Sequence, residues 1–256
     1  MSCILITSVF DQLLTFFNEF LKTKRIIWQS VRLTVLLIYC GVFCVTPLYS
    51  QKNGTISGKI TLRHPDEMVQ EILKERALIR YSLRHAKNIG TGDPYGLSEK
   101  AIIYIEPFKS EVTPPPPATH PQLRQKDLLF RPLVLPVIVG TTVDFPNSDD
   151  LFHNVFSYSQ PKEFDLGRYP KGQSKSMKFD KPGVVNVFCD IHSYMFATIL
   201  VLSNPYYTIP DDDGNYAIPD IPPGSYQVSF WYGRKKIESK NIDISAGGNT
   251  TINFAF

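Results

Sequence analysis

Apolar residues in this chain recur in short runs bounded by turn formers. Residues 56–62 alternate through Ile56, Gly58, Ile60 and Leu62, and residues 101–105 form a compact, largely β-branched run. Segments 134–139, 141–145, 184–189, 198–202, 216–218, 226–232, 241–244 and 250–254 repeat the habit, each bounded by Pro, Gly, Asn or Asp. Short segments so spaced predict a mainly β protein built as a sandwich or barrel. Residues 66–87 depart from the pattern. Asp66 and Glu67 follow Pro65, whereas Arg84, His85 and Lys87 lie at the far end before Gly90. Acid first, base last and a glycine stop predict a helical insertion of about five turns. The four prolines at 114–117 predict a stiff extended linker.

The front of the chain has a different texture. Residues 33–45 are an apolar run, preceded by Lys22, Lys24, Arg25 and Arg32 and followed by Pro47, Ser50 and a polar stretch from Gln51. A basic flank, a core of about 13 residues and a small residue at its end predict a secretory signal over residues 1–50. The core falls short of the roughly 20 residues that a spanning helix needs. An uncleaved signal anchor is the alternative, and it is the one membrane attachment expected. Neither Cys40 nor Cys44 follows the small residues of a lipoprotein signal. The expected location is the bacterial periplasm or another exported site, with a soluble protein after cleavage.

Charge and cysteines then narrow the chemistry. The formal charge of +3 over 256 residues falls to about +1 without residues 1–50, which hold four Lys/Arg and two Asp/Glu. Near-neutrality argues against nucleic acid as a partner and against strong electrostatic steering. The remaining length suffices for one large or two small domains. Cys3, Cys40 and Cys44 leave with the signal, so Cys189 keeps no internal partner. In an oxidising compartment such a thiol forms an intermolecular bridge, reacts, or binds metal.

Cys189 opens the run Cys189-Asp190-Ile191-His192-Ser193-Tyr194-Met195, and a second imidazole, His153, lies upstream. Two His, one thiolate and one weak axial thioether make a blue-copper site. Taken singly, His153 reads as a strand-end histidine, Met195 as a core filler and Cys189 as a small buried hydrophobe or a nucleophile activated by His192. Zinc is disfavoured by the thioether and the single thiolate. A cysteine hydrolase is disfavoured because Cys189 and His192 share one short loop with no orienting Asn or Asp identifiable. His64, His85 and His120 lie in helix-cap or linker contexts and are expected at the surface.

Residues 125–202 resemble the cupredoxins, notably plastocyanin and amicyanin. The matching pieces are Phe130-Arg131-Pro132 with Leu135 and Val137, and then Gly140-Thr141-Thr142-Val143-Asp144-Phe145-Pro146-Asn147. His153-Asn154-Val155-Phe156, Lys181-Pro182-Gly183 and the Cys189, His192, Met195 cluster follow in order. The two-residue gap on each side of His192 is similar to the short amicyanin loop. Bacterial exported proteins of the methylamine-utilisation type resemble the chain more closely, sharing Phe164-Asp165-Leu166-Gly167. Ser193 departs from the Pro that many relatives carry there, which loosens the loop but removes no ligand. The resemblance implies a Greek-key sandwich and one type 1 copper ion held by His153, Cys189, His192 and axial Met195. It implies that Asn154 hydrogen-bonds toward the Cys loop, that His192 is the exposed ligand and electron port, and that Tyr194 and Phe196 supply apolar surface around it.

The tail resembles a second family. Asp211-Asp212-Asp213-Gly214-Asn215-Tyr216-Ala217-Ile218, then Ile221-Pro222-Pro223-Gly224-Ser225-Tyr226-Gln227-Val228, is similar to the carboxypeptidase regulatory-like, transthyretin-type β-sandwich. Residues 54–60 and 101–105 resemble that module's opening strands. The expected organisation is therefore an early part at 51–107, a cupredoxin domain at 108–203 and the remaining strands at 204–256. In the alternative, the early strands simply begin the cupredoxin. Asp211 to Asp213 read as an exposed turn rather than a calcium site. Two function classes follow. One is a non-enzymatic one-electron carrier serving an unidentified redox partner. The other is a copper-delivery protein, or a carbohydrate- or partner-binding sandwich, without a redox shuttle.

Overall fold

The computed structural model describes residues 52–62, 94–107 and 115–256, together with Glu19. The signal expected over 1–50 and the helix expected over 66–87 lie outside the described residues, and the helical insertion is not borne out. From residue 52 onward the described elements are strands and one short 3-10 turn, Leu97–Glu99. The chain is a mainly β protein.

The middle of the chain folds as a β-sandwich. One face is a five-stranded sheet in the order β5 (Val134–Ile138), β11 (Phe196–Leu202), β10 (Gly183–Phe188), β7 (His153–Ser159) and β8 (Lys162–Tyr169). The facing layer pairs β6 (Thr141–Pro146) with β9 (Ser174–Phe179). The hairpin of β3 (Arg124–Lys126) and β4 (Leu129–Arg131) joins this layer through bridges from Gln122 to Asp144 and from Gln125 to Asn147. Alternation explains the packing. In β6, Thr141, Val143 and Phe145 turn inward while Thr142, Asp144 and Pro146 turn out. Val143 and Phe145 meet Val155, Val185, Val187 and Ile199 from the five-stranded sheet in one apolar core that also holds Cys189 and Met195.

A second sandwich takes strands from both ends of the described chain. β1 (Gly54–Thr61) pairs with β13 (Asn215–Ile221), β16 (Asn249–Thr251) and β17 (Phe254–Ala255). β2 (Ala101–Ile105) lies between β12 (Tyr207–Thr208) and β14 (Gly224–Tyr232), and β15 (Lys235–Ile244) completes that sheet. Ile56, Ile60, Ile103, Ile218, Phe230 and Phe254 meet between the two sheets. Gly58 stands where a Cβ would collide with the Ile252 carbonyl, so the close approach of β1 to the tail requires glycine there.

A third apolar cluster joins the two sandwiches. Ile102, Tyr104 and Trp231 from the second pack on Val134, Leu200 and Leu202 from the first. β2 and β11 are therefore covered on both faces. This is why Ala101–Ile105 and Phe196–Leu202 are buried along their whole length rather than at alternate positions.

Candidate metal centre

Strand ends converge at one edge of the first sandwich. His153 opens β7, Cys189 follows β10 directly, and Met195 directly precedes β11. β7 and β10 are neighbours, paired through Phe156 and Phe188, which carries His153 to the Cys189 loop. The loop folds back through a bond from the Met195 N–H to the His192 carbonyl, 2.9 Å.

Among the described residues, His153, Cys189 and His192 form a cluster able to hold a metal ion. Their donor atoms make a triangle. The sides are 3.0 Å between the two Nδ1 atoms, 3.9 Å from Cys189 Sγ to His153 Nδ1, and 3.8 Å from Sγ to His192 Nδ1. The circumradius of that acute triangle is about 2.1 Å, so one point lies within metal-bond reach of all three donors; zinc bonds are roughly 2.0–2.1 Å to imidazole and roughly 2.3 Å to thiolate. A thiolate with two imidazoles is a donor set that suits copper. Met195 is fully buried in the apolar cluster that contains Cys189. His153 is fully buried and His192 only half-buried, so His192 is the imidazole that reaches the surface.

Hydrogen bonds orient these donors. Asn154 Oδ1 accepts the Asp190 N–H at 2.7 Å, tying β7 to the ligand loop, and Asn154 Nδ2 donates to Asp165 at 3.1 Å. His153 Nε2 lies 2.9 Å from Asp149 Oδ2, which turns Nδ1 toward the thiol. Asp149 also accepts the N–H groups of Asp127 and Leu128, at 2.7 and 2.9 Å. Those two residues form the tip of the β3–β4 hairpin with φ of 56° and 60°, so one carboxylate holds both a left-handed turn and a donor imidazole.

The three donors differ in the direction of their protonation equilibria. Burial pushes the Cys189 thiol up, but the bond from His153 and the N–H groups of the loop outweigh it and hold the thiol below its ordinary value. Burial pushes His153 down, but Cys189 and Asp149 outweigh it and raise this imidazole. Burial and then the charge of His153 lower His192. The directions for Cys189 and His192 lie toward the thiolate and neutral imidazole that a metal requires, whereas that of His153 lies toward imidazolium, whose proton an arriving ion displaces.

Other residues fall elsewhere. Phe196, expected on the apolar surface, is buried under the guanidinium of Arg234, whose centre lies 3.8 Å from the ring centroid. The exposed apolar side chains beside the site are instead Leu151, Phe152 and Ile191, chain neighbours of His153 and His192. Tyr194 is half-buried, its hydroxyl pushed up to about 12 by burial and by the charges of Cys189 and Asp149. His120 pairs with Asp144 at the surface, while His64 and His85 lie outside the described residues. Asp211 and Asp212 are engaged by Asn215 and Ser98 in an exposed turn. Asp149 escapes sequence reasoning because Asn147-Ser148-Asp149-Asp150 reads as an ordinary polar turn; its spacing four residues before His153 is the only signal.

No family model matches the chain. Probable rhamnogalacturonate lyase A of Neosartorya fischeri and that of Aspergillus fumigatus are each 34% identical over 50 residues, covering 20% of this chain and 10% of theirs. The chain thus spans about a tenth of the length of these curated relatives. Among solved structures, it is similar to a Cu-containing nitrite reductase from Thermus scotoductus SA-01, with 28% identity, 38% of this chain and 25% of that one covered, and a TM-score of 0.33. A purple cupredoxin from Nitrosopumilus maritimus gives 30% identity, 27% and 78% coverage, and a TM-score of 0.26. A Cu(I) amicyanin variant gives 22% identity, 31% and 79% coverage, and a TM-score of 0.30. Among the described residues no helix is long and apolar enough to cross a membrane.

Proposed function

We propose that this chain is an exported, non-enzymatic electron carrier that holds one type 1 copper ion with His153, Cys189, His192 and axial Met195. The observation that carries this reading is the triangle of two Nδ1 atoms and one Sγ, each within reach of a single central ion. Bound copper supplies a one-electron couple. The chain's own part is to keep the donors still. Cys189 presents its thiolate, Asp149 fixes the His153 ring, and Asn154 ties the ligand loop to β7. Half-buried His192 is the electron port. Leu151, Phe152 and Ile191 offer an apolar docking surface for a redox protein yet to be identified.

In this reading the cupredoxin domain occupies residues 108–203. The flanking segments 51–107 and 204–256 together form the carboxypeptidase regulatory-like sandwich. Pairing of β1 with β13, β16 and β17, and of β2 with β14, supports that division. Residues 1–50 export the protein to the periplasm.

Loading purified protein with Cu(II) tests the reading. An intense blue band that is lost in Cys189→Ser is expected, and a colourless wild-type protein overturns it. Reversible voltammetry then separates a carrier from a copper-delivery protein. The identity shared with rhamnogalacturonate lyases over 50 residues favours a second reading, in which the chain binds carbohydrate. Calorimetric titration with rhamnogalacturonan checks it, and a flat trace rejects it.

A further inference from the structure

Arg234 of the second sandwich reaches the base of the ligand loop. Gly233 and Arg234 form the two-residue turn between β14 and β15, and Gly233 takes the positive φ of 57° that its hairpin position needs. The turn is firmly held. Trp231 Nε1–H donates to the Gly233 carbonyl at 2.8 Å, and the Gly233 N–H donates to the Lys100 carbonyl at 2.9 Å. Trp231 is itself wedged in the cluster between the sandwiches. Arg234 is thereby delivered to a fixed place, with its guanidinium 3.8 Å from the centroid of the Phe196 ring.

Phe196 is the first residue of β11 and follows Met195. It pairs in register with Phe188, the last residue of β10, which precedes Cys189. The two rings are 5.5 Å apart. By strand alternation the phenylalanines lie on the outer face of the sheet, while Cys189 and Met195 turn into the core. The Phe188–Phe196 pair therefore closes the loop at its base, and Arg234 caps that pair.

We propose that Arg234 is a positioning residue through which the second sandwich sets the placement of Met195 and Cys189, and with it the redox balance of the centre. The redox part rests on the copper reading above; the positioning part does not. A cation over an aromatic ring favours one ring position, and Phe196 follows Met195 directly, so a shift of the Phe196 backbone is passed to Met195.

Arg234→Ala and Arg234→Lys in the full chain provide the test, with Arg234→Gln in reserve should the alanine variant not fold. In metal-free protein, carbon-detected NMR of the Met195 methyl group, assigned with Met195→Leu, is expected to show a moved resonance in Arg234→Ala. Arg234→Lys should return it toward the wild-type position, because a cation still covers the ring. In copper-loaded protein, Arg234→Ala is expected to keep the blue band but change the redox equilibrium constant at least threefold, about 28 mV for a one-electron couple. An unmoved Met195 methyl in Arg234→Ala overturns the proposal whether or not copper binds. A moved methyl with an unchanged potential overturns the redox part and leaves Arg234 a packing residue. A wild-type protein without a blue band refutes the copper reading alone, and the metal-free NMR still decides the positioning.

Discussion

Asp149 accepts hydrogen bonds from the Asp127 and Leu128 amides and from the His153 ring. Burial pushes its carboxyl up, yet those partners outweigh burial and hold it below the usual carboxylate range. Asp149→Ala leaves two turn amides and a buried imidazole without their acceptor. Denaturant titration is expected to show a loss of about 1–3 kcal/mol, and competition with a Cu(I) chelator about 10–100-fold weaker binding. Met195→Leu behaves oppositely. It conserves volume in the core, so stability is expected to change by less than about 1.5 kcal/mol, whereas the potential moves because the thioether is gone. The donors were legible in the chain because soft-metal chemistry resides in residue type: Cys, His and Met at short spacing mean much the same in any fold. Asp149 was not, since its importance arises from a hairpin tip more than 20 residues away.

Elements were legible in proportion to how apolar they are. Ala101–Ile105 was read to the residue, and Phe196–Leu202 was recognised from residue 198 onward. β8 and β9 were missed because they bury few side chains; of Ser174–Phe179 only Phe179 is fully buried. Such strands owe their form to partners in the sheet, and local pattern carries little of that. At the end of β2, Glu106 accepts from Ser229 on β14 at 2.6 Å and pairs with Lys236 on β15 at 2.8 Å. Burial pushes the Glu106 carboxyl up, but Lys236, Ser229 and Tyr104 outweigh it and hold it below its ordinary value. A lowered folded pKa means that this contribution is present above the ordinary Glu value of 4.5 and is lost as pH falls through the lower folded value. Melting temperatures of wild type and Glu106→Gln are therefore expected to differ above that pH and to converge in stronger acid.

At the scale of the whole molecule, the two sandwiches share the cluster of Ile102, Tyr104, Val134, Leu200, Leu202 and Trp231. Trp231 is 6% exposed and also braces the turn that carries Arg234. Trp231→Ala is expected to cost about 3–5 kcal/mol. Scanning calorimetry should show one transition for the wild type and two for the variant, as the sandwiches lose their common core. A single transition in both would mean that cooperativity lies in the chain crossings rather than in this cluster.

The chain by itself determined the mainly β character, the short apolar run at 101–105, and the donor types Cys189, His153, His192 and Met195. Those properties are local, since periodicity and ligand chemistry are written in adjacent residues. Tertiary structure alone decided that His153 meets Cys189 and His192 in one triangle, that Asp149 holds both a turn and a ring, and that Arg234 rests on Phe196. Each of these joins residues far apart in the chain, and their distance in space is set by how the sheets close and pack, which no window of sequence contains.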